Sequence, residues 1–496
     1  MARLMLSVSG CRGVVGETLS AEVAARFAGC FGSVLRARNP GKRISVVLGR
    51  DGRRGGVNGL PAAAIAGLLG SGCNVIDLGI AMTPTVAVNT DWHARELAKK
   101  NEVGAGMVIT ASHNPQQWNG LKCLLAEGGI HGAAACAPPA TLANEIIALF
   151  ERGGSALDGK TTWQHLGALT RDDDAAETHV ERVLAAMQDS GLTDMPSSIG
   201  RGIRVAVDCV NASSSRTAPM FLRSIGCEVV EVNANHTGEQ AGLFPHPPEP
   251  TAENLSGKGG LCDIVRAHNC HAGFALDPDA DRLALIDEQG RYVGEEYTLA
   301  LSALAILSGR KRDSREADVL VTNLSTSRML EDVAAKFGAR VLRTPVGEAN
   351  VVEVMKRENA IAGGEGNGGT IWPRSCYVRD SLAGMGLVVW LLNQQRQPLS
   401  TIAASIPSYA IEKRKVDLAR KEDAQPAIEK IAKAYSNQQV DLRDGAWVNF
   451  TTGPLAGKAW LHVRASNTEP IMRLIAEAPT VDAARGVLDE AGRILG

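Results

Sequence analysis

Three aspartates at alternate positions, in Asp277-Pro278-Asp279-Ala280-Asp281-Arg282, are the residues hardest to place without a ligand. Left unpaired, their carboxylates repel one another and their pKa values rise. A hard divalent cation removes that cost, and carboxylates suit Mg²⁺, Mn²⁺ or Ca²⁺. An EF-hand does not fit. Glu288 falls at position 12 counted from Asp277, but position 6, which needs glycine for its sharp turn, is Arg282. The flanks, beginning with Leu283–Ile286, read as strand and turn rather than helix. Apolar strands on both sides favour a metal loop over a solvated acidic turn, with Mg²⁺ completed by a phosphate oxygen.

A second polar loop, Gly364-Glu365-Gly366-Asn367-Gly368-Gly369, matches G-x-G-x-x-G in form. A dinucleotide fingerprint must open a helix, and Thr370-Ile371-Trp372-Pro373 does not, so that reading is rejected. What remains is Glu365 and Asn367 on a backbone that a ligand can approach closely. Such a pair can accept from and donate to vicinal hydroxyls of a sugar. A third loop, Arg464-Ala465-Ser466-Asn467-Thr468-Glu469-Pro470, carries a guanidinium, two hydroxyls and an amide, with Arg473 a short strand further on. That is the composition of a phosphate cradle. An ordinary polar turn is the alternative for each loop taken alone.

Ser112, in Thr110-Ala111-Ser112-His113-Asn114-Pro115, follows an apolar run and is the candidate nucleophile, with His113 beside it. Lys122, in Trp118-Asn119-Gly120-Leu121-Lys122, is a candidate proton shuttle if burial or nearby charge lowers its pKa. Arg12, in Ser9-Gly10-Cys11-Arg12-Gly13, and Arg282 add positive charge. A lone serine or cation is commonly structural, so the weight lies in co-occurrence. Nucleophile, metal loop, hydroxyl-binding loop and phosphate cradle together describe phosphoryl transfer on a sugar phosphate.

Residues so far apart in the chain need a scaffold, and the periodicity supplies one. Short β-rich runs alternate with helical patterns, as in α/β folds. The first region has strands at Ile44–Leu48, Asn74–Leu78 and Met107–Thr110, with helices over about 20–37 and 57–70. The second has strands at Arg204–Asp208, Glu228–Val232 and Gly273–Leu276, and the third at Asp318–Thr322, Arg340–Arg343 and Ile361–Gly363. This shared grammar predicts a threefold structural repeat. Each third strand runs into a polar loop, and ligands of open α/β sheets bind beyond the carboxyl ends of strands.

Further on, Pro407 and the charged run Glu412-Lys413-Arg414-Lys415 mark a boundary. A helix over about 421–436, strands Trp447–Phe450 and Trp460–Val463, and a terminal helix from about 480 then form an α+β unit. The stretch from Gly153-Gly154-Ser155 to about Arg171 reads as a linker. The expected architecture is α/β: three similar α/β domains with mixed sheets plus a C-terminal α+β domain, arranged around a central cleft. Their expected extents are 1–155 (phosphoserine, catalytic), 172–292 (metal), 293–405 (sugar) and 406–496 (phosphate).

Composition bounds the partners. A length of 496 residues suggests three or four domains at roughly 100–200 residues each. Lys and Arg total 52 and Asp and Glu 54, a formal net charge of −2, which argues against a nucleic-acid binder or polybasic membrane protein. The 53 glycines exceed the usual share of roughly 7% without any collagen period, which points to tight turns and close backbone approaches. Ten cysteines with no CxxC pair exclude a small disulfide scaffold and a zinc ribbon, and point to a reducing compartment. Met1–Ser7 is too short an apolar run for a signal peptide. The longest apolar stretch, near Leu382 to Leu392, falls short of the roughly 20 residues of a membrane helix. The expectation is a cytoplasmic monomer or homodimer with no nucleic-acid or membrane partner.

The same loops carry a family resemblance. The chain looks like an α-D-phosphohexomutase, the family of phosphoglucomutase, phosphomannomutase and phosphoglucosamine mutase, over essentially its whole length. Thr110 to Pro115 resembles the family's phosphoserine loop, Asp277 to Arg282 its metal loop, Gly364 to Gly369 its sugar loop and Arg464 to Pro470 its phosphate loop. Thr344-Pro345-Val346-Gly347, and Phe244-Pro245 leading to Pro248-Glu249-Pro250, add to the similarity. Many relatives have serine where this chain has Asn367, and histidine where it has Gly369. The acid–base role considered for that histidine cannot be carried over, which makes Lys122 the better candidate.

The resemblance implies a phosphoryl group on Ser112 whose oxygen completes one Mg²⁺ per chain with Asp277, Asp279 and Asp281. It further implies a hexose phosphate substrate that is interconverted between 1- and 6-phosphate through a hexose 1,6-bisphosphate, which also serves as activator. Catalytic roles fall to Ser112, Lys122, His113, Arg12 and Arg282, sugar binding to Glu365 and Asn367, and phosphate binding to Arg464, Ser466, Asn467, Thr468 and Arg473. The GEGNGG loop is similar to loops of phosphoglucosamine mutases, with phosphoglucomutase or phosphomannomutase as the alternative. A non-catalytic sugar-phosphate-binding protein on this fold would be expected to lose Ser112 or an aspartate. A metal-dependent phosphomonoesterase would release inorganic phosphate instead.

Overall fold

A computed structural model describes residues 3–54, 59–129, 134–154, 161–310, 317–465 and 471–496. The chain divides into two units, Met1–Ser314 with Asn367–Ile402, and Arg315–Gly366 with Ala403–Gly496.

The first unit holds a large mixed sheet of β1 (Met5–Ser7), β2 (Gly10–Val14), β3 (Ile44–Arg50), β4 (Asn74–Ile80), β5 (Val103–Ile109), β6 (Trp118–Ala126), β7 (Ala135–Cys136) and β8 (Leu169–Arg171). The order is β1-β2-β6-β5-β3-β4-β8, with β7 paired to β6. β3 is apolar on both faces because both are covered: Val46 and Leu48 pack with Phe27 and Phe31, whereas Val47 packs with Val86 and Val108. Ser20 starts the covering helix Ala21–Arg38 by accepting from Val23 N. A second sheet of the same unit contains β9 (Arg204–Asp208), β10 (Glu228–Val232), β11 (Ala272–Leu276), β12 (Leu283–Asp287) and β13 (Tyr292–Gly294), in the order β10-β9-β11-β12-β13.

The second unit holds parallel strands β14 (Val319–Asn323), β15 (Arg340–Thr344) and β16 (Ala362–Glu365) in the order β15-β14-β16. The short β17 (Gly369–Ile371) lies in the first unit. The antiparallel C-terminal sheet has β18 (Ala410–Asp417), β19 (Gln439–Asp441), β20 (Ala446–Asn449), β21 (Trp460–Ala465) and β22 (Ile471–Ala478), in the order β18-β22-β21-β20-β19. It is covered by the helices Ala424–Ala434 and Val481–Leu495.

The expected repeat is present in the strand order. β4-β3-β5-β6 and β10-β9-β11-β12 both read second-first-third-fourth, with the fourth strand antiparallel. β15-β14-β16 repeats the first three places. One expectation needs correction. The predicted linker ends in β8, which pairs parallel with β4 and extends the first sheet. The charged run Glu412 to Lys415 forms the middle of β18, the first strand of the C-terminal sheet, whose backbone is paired to β22 while its charged side chains stay partly or fully exposed. The apolar stretch at Leu382 lies in the buried helix Ser381–Gln395. Among the described residues no helix is long and apolar enough to cross a membrane. None of the ten cysteines is in a disulfide.

Gly10 opens β2, the strand that carries Arg12, at φ +105, and a Cβ there would stand 1.9 Å from the carbonyl oxygen of Leu121. Gly10→Ala is expected to destabilise the protein by more than about 1 kcal/mol, since both the backbone conformation and the space are wrong for a side chain. Urea denaturation checks this, and an unchanged midpoint would contradict it.

Candidate active site

Ser112 is placed by residues on both sides of its loop. Thr110 Oγ accepts from Ser112 N at 2.8 Å and donates to Asp51 Oδ2 at 2.6 Å. Asp51, just past β3, pairs with Arg53 Nε at 2.9 Å. Arg53 is 1% exposed. Its remaining donors go to main-chain carbonyls, at 2.5 Å to Ser112 O, 2.7 Å to Trp118 O, 3.2 Å to Asn114 O and 3.3 Å to Pro115 O. The serine is held at φ +51, in the left-handed region. Its Oγ donates to Asp277 Oδ2 at 2.8 Å.

Asp277, Asp279 and Asp281 follow β11, all buried, each offering an oxygen within 4.8 Å of the others. Asp279 Oδ2 accepts from Thr83 Oγ at 2.7 Å and from Lys122 Nζ at 2.6 Å. Asp281 Oδ2 accepts from Arg379 Nη2 at 2.6 Å and from Lys122 Nζ at 3.2 Å. Asp277 Oδ1 accepts from Arg282 N at 3.1 Å. The second oxygens of Asp279 and Asp281 are buried with no hydrogen-bond partner. Such orphans are costly unless something absent from the protein chain meets them. An all-oxygen set of this kind fits a hard cation.

Burial and the two neighbouring carboxylates push the Asp277 carboxyl well above the usual range. Burial is the largest influence on Asp279 and Asp281 as well and acts the same way, but Lys122 with Thr83 on Asp279, and Arg379 with Lys122 and Arg282 on Asp281, together outweigh it and hold both below that range. For Lys122 burial favours the neutral amine, yet Asp279 and Asp281 prevail and its pKa is raised. This direction is opposite to the lowering that a proton shuttle needs. His113 is pushed down to about 3 by burial and then by the charge of Arg282, so its ring is neutral. Its Nδ1 lies 3.3 Å from Ser112 Oγ and its Nε2 3.8 Å from Glu249 Oε1. Arg282 Nη1 also meets Glu249, at 3.4 Å. Arg12 is half-buried, and Asp279 and Asp281 favour its charged form against the desolvation that lowers its pKa.

Asn367 Oδ1 accepts from Arg379 Nη1 at 3.2 Å in the first unit. In the second unit, buried Glu365 accepts from Asn323 Nδ2 at 2.8 Å. Arg464, at the end of β21, lies 3.5 Å from Asp444, whose other oxygen accepts from Val346 N at 2.9 Å. Arg473 on β22 is directly opposite Arg464 in the strand register. Like charges so placed repel, and Asp444 offsets part of that repulsion at Arg464. Ser466, Asn467 and Thr468 lie outside the described residues.

The first unit therefore gathers Ser112, His113, Lys122, Arg282 and the three aspartates, and the second unit carries Glu365, Arg464 and Arg473. Sequence reasoning overlooked Arg53, Thr83 and Arg379. Asp51-Gly52-Arg53 directly after an apolar strand, and Arg379-Asp380 interrupting an apolar stretch, were the available signals.

Four family profiles match the chain in order. They are Phosphoglucomutase/phosphomannomutase alpha/beta/alpha domain I over residues 3–148, domain II over 180–290, domain III over 295–409 and the C-terminal domain over 414–493. A phosphoglucomutase/phosphomannomutase of Thermococcus kodakarensis is 34% identical, over 98% of this chain and 97% of its own. A phosphoglucosamine mutase of Symbiobacterium thermophilum is 30% identical, over 95% of this chain and 94% of its own. In fold, a phosphoglucomutase/phosphomannomutase family protein from Burkholderia thailandensis matches with a TM-score of 0.75 at 24% identity, covering 99% of this chain and 98% of that one. With its four domains matched in sequence and its fold shared throughout, the chain belongs to the phosphoglucomutase/phosphomannomutase family and is a phosphohexomutase, an isomerase of the intramolecular phosphotransferase kind.

Proposed function

We propose that this phosphohexomutase interconverts hexose 1-phosphate and hexose 6-phosphate through a phosphoserine at Ser112 and a hexose 1,6-bisphosphate, with glucosamine phosphate as its preferred substrate. The observation that carries the reading is the hydrogen bond from Ser112 Oγ to Asp277 Oδ2, which joins the one candidate nucleophile to the aspartate cluster. Asp277, Asp279 and Asp281 would hold Mg²⁺, which when bound supplies charge neutralisation at a phosphoryl oxygen.

In each half-reaction a sugar hydroxyl and Ser112 Oγ exchange one phosphoryl group and one proton. One P–O bond forms as the other breaks, so the second half-reaction reverses the first at the other end of the sugar. The chain's part is positioning and stabilisation of spread negative charge. Arg12, Lys122 and Arg282 supply fixed cations, and neutral His113 can hydrogen-bond to the serine without adding charge. Glu365 and Asn367 bind sugar hydroxyls. Arg464, Arg473 and the loop of Ser466, Asn467 and Thr468 receive the far phosphate, a role that the facing pair of arginines supports. The names of several relatives and the GEGNGG loop support glucosamine as the sugar.

The test is an isomerase assay with glucosamine 1-phosphate, glucose 1-phosphate and mannose 1-phosphate, with Mg²⁺ and a catalytic amount of the 1,6-bisphosphate. The highest kcat/KM is expected for glucosamine 1-phosphate. Release of inorganic phosphate without isomerisation would replace this reading by a phosphomonoesterase.

Metal removal has a separate expected outcome. Chelation abolishes turnover without unfolding the protein, because Lys122 and Arg379 remain paired with the aspartates. Mg²⁺ then stabilises the folded state by about 2.7 kcal/mol when it stands about a hundredfold above its Kd, and Tm rises accordingly. A thermal melt of Asp281→Asn showing the full shift would remove Asp281 from the site.

A further inference from the structure

Gly369 has no left-handed φ to account for it, yet a Cβ built there stands 2.0 Å from Arg379 Cδ and 2.7 Å from Arg379 Cγ. The missing side chain is the clearance through which Arg379 passes. The main chain around Arg379 is fixed. Asp380 N donates to Thr370 O at 2.8 Å. The Asp380 carboxylate starts the helix Ser381–Gln395 by accepting from Leu382 N and Ala383 N, and also takes Ser375 Oγ at 2.7 Å. From this anchor the arginine, only 9% exposed, reaches two loops at once. Its Nη2 holds Asp281 Oδ2 and its Nη1 holds Asn367 Oδ1.

Each contact leaves a defined atom over. A guanidinium has only donors, so the amide oxygen of Asn367 must face it and the amide nitrogen is left to donate elsewhere. Asp281 keeps its other, unpartnered oxygen.

We propose that Arg379 is a positioning residue for the mutase reaction, one that ties the aspartate loop to the sugar loop, makes Asn367 a hydrogen-bond donor toward substrate, and requires glycine at 369. The proposal rests on the phosphohexomutase reading above. It says that the sugar group met by Asn367 is an acceptor, and that residues 369 and 379 form one functional unit.

The test is a double-mutant cycle of Gly369→Ala and Arg379→Ala, after circular dichroism has shown each variant folded. Each single variant is expected to lower kcat/KM about a hundredfold, the cost of an ångström-scale misplacement. The double variant should match the singles rather than multiply them, because both remove the same unit. Binding supplies a readout apart from turnover. In the metal-free Ser112→Ala protein, each substitution is expected to weaken hexose 1-phosphate binding about tenfold by calorimetry, about the worth of one lost hydrogen bond. Arg379→Lys keeps a charge at Asp281 but has no second arm for Asn367, so kcat recovers while KM stays raised. Multiplicative losses, or Gly369→Ala with unchanged kcat/KM, overturn the proposal. If the unmodified protein isomerises no hexose phosphate, the functional reading falls instead. A crystal structure of Gly369→Ala then decides the coupling, with the guanidinium expected off Asp281 and Asn367, and its retention on both overturning it.

Discussion

With Ser112 replaced by alanine, kcat is expected to fall by on the order of 10⁶-fold, the scale on which removal of a covalent nucleophile acts. The Ser112 hydroxyl is the one that meets Asp277, whereas the Thr83 hydroxyl is held on Asp279. His113 is neutral and adjoins the serine, but a ring nitrogen 3.3 Å from Oγ does not occupy the oxygen's position against Asp277. The fold should survive, because what shapes the loop is the main chain of residue 112, through its N–H on Thr110 and its carbonyl on Arg53. Intact mass after incubation with hexose 1,6-bisphosphate checks the assignment. A phosphoryl adduct is expected on the unmodified protein and none on Ser112→Ala, whereas an adduct of equal yield on the variant would place the acceptor elsewhere.

The second large effect is expected at Arg53, away from any reacting atom. Arg53→Ala leaves Asp51 buried without its cation, and breaking a buried ion pair from one side costs about 3–5 kcal/mol. It also strips donors from the four carbonyls of Ser112, Asn114, Pro115 and Trp118. Ser112 then loses its fixed place, and a misplacement near 1 Å carries about a hundredfold in rate. Arg53→Lys is expected to recover little, since one ammonium cannot span sites that a planar guanidinium reaches from three nitrogens. Urea denaturation and single-turnover phosphorylation measure the two losses separately. Stability and rate both unchanged in Arg53→Lys would show that charge alone suffices.

What was legible in the sequence follows a physical division. The apolar strands of the repeat, such as Ile44–Leu48 and Arg204–Asp208, are visible because burial on both faces writes a continuous apolar run. The aspartate loop is visible because three carboxylates within five residues demand an explanation locally. β6 and β2 escaped notice because Trp118-Asn119-Gly120 and Gly10-Cys11-Arg12-Gly13 mix glycine and polar residues, and their extended form comes from pairing with neighbours distant in the chain. Arg53 and Arg379 were hidden for a related reason. The carbonyl of Ser112 lies 59 positions from Arg53 and the carboxylate of Asp281 98 positions from Arg379, so neither of these two contacts leaves a local spacing to read. Lys122 was legible as a cation but not in the direction of its pKa shift, since Asp279 and Asp281, which raise it, are brought to it only by the fold.

The left-handed main chain at Ser112 has a consequence for which alcohol can serve there. Serine and threonine carry the same hydroxyl and either could accept a phosphoryl group. At φ +51 a branched Cβ is an outlier, whereas an unbranched one is merely uncommon. Conformation, before any chemistry, makes this position a serine's and closes it to threonine.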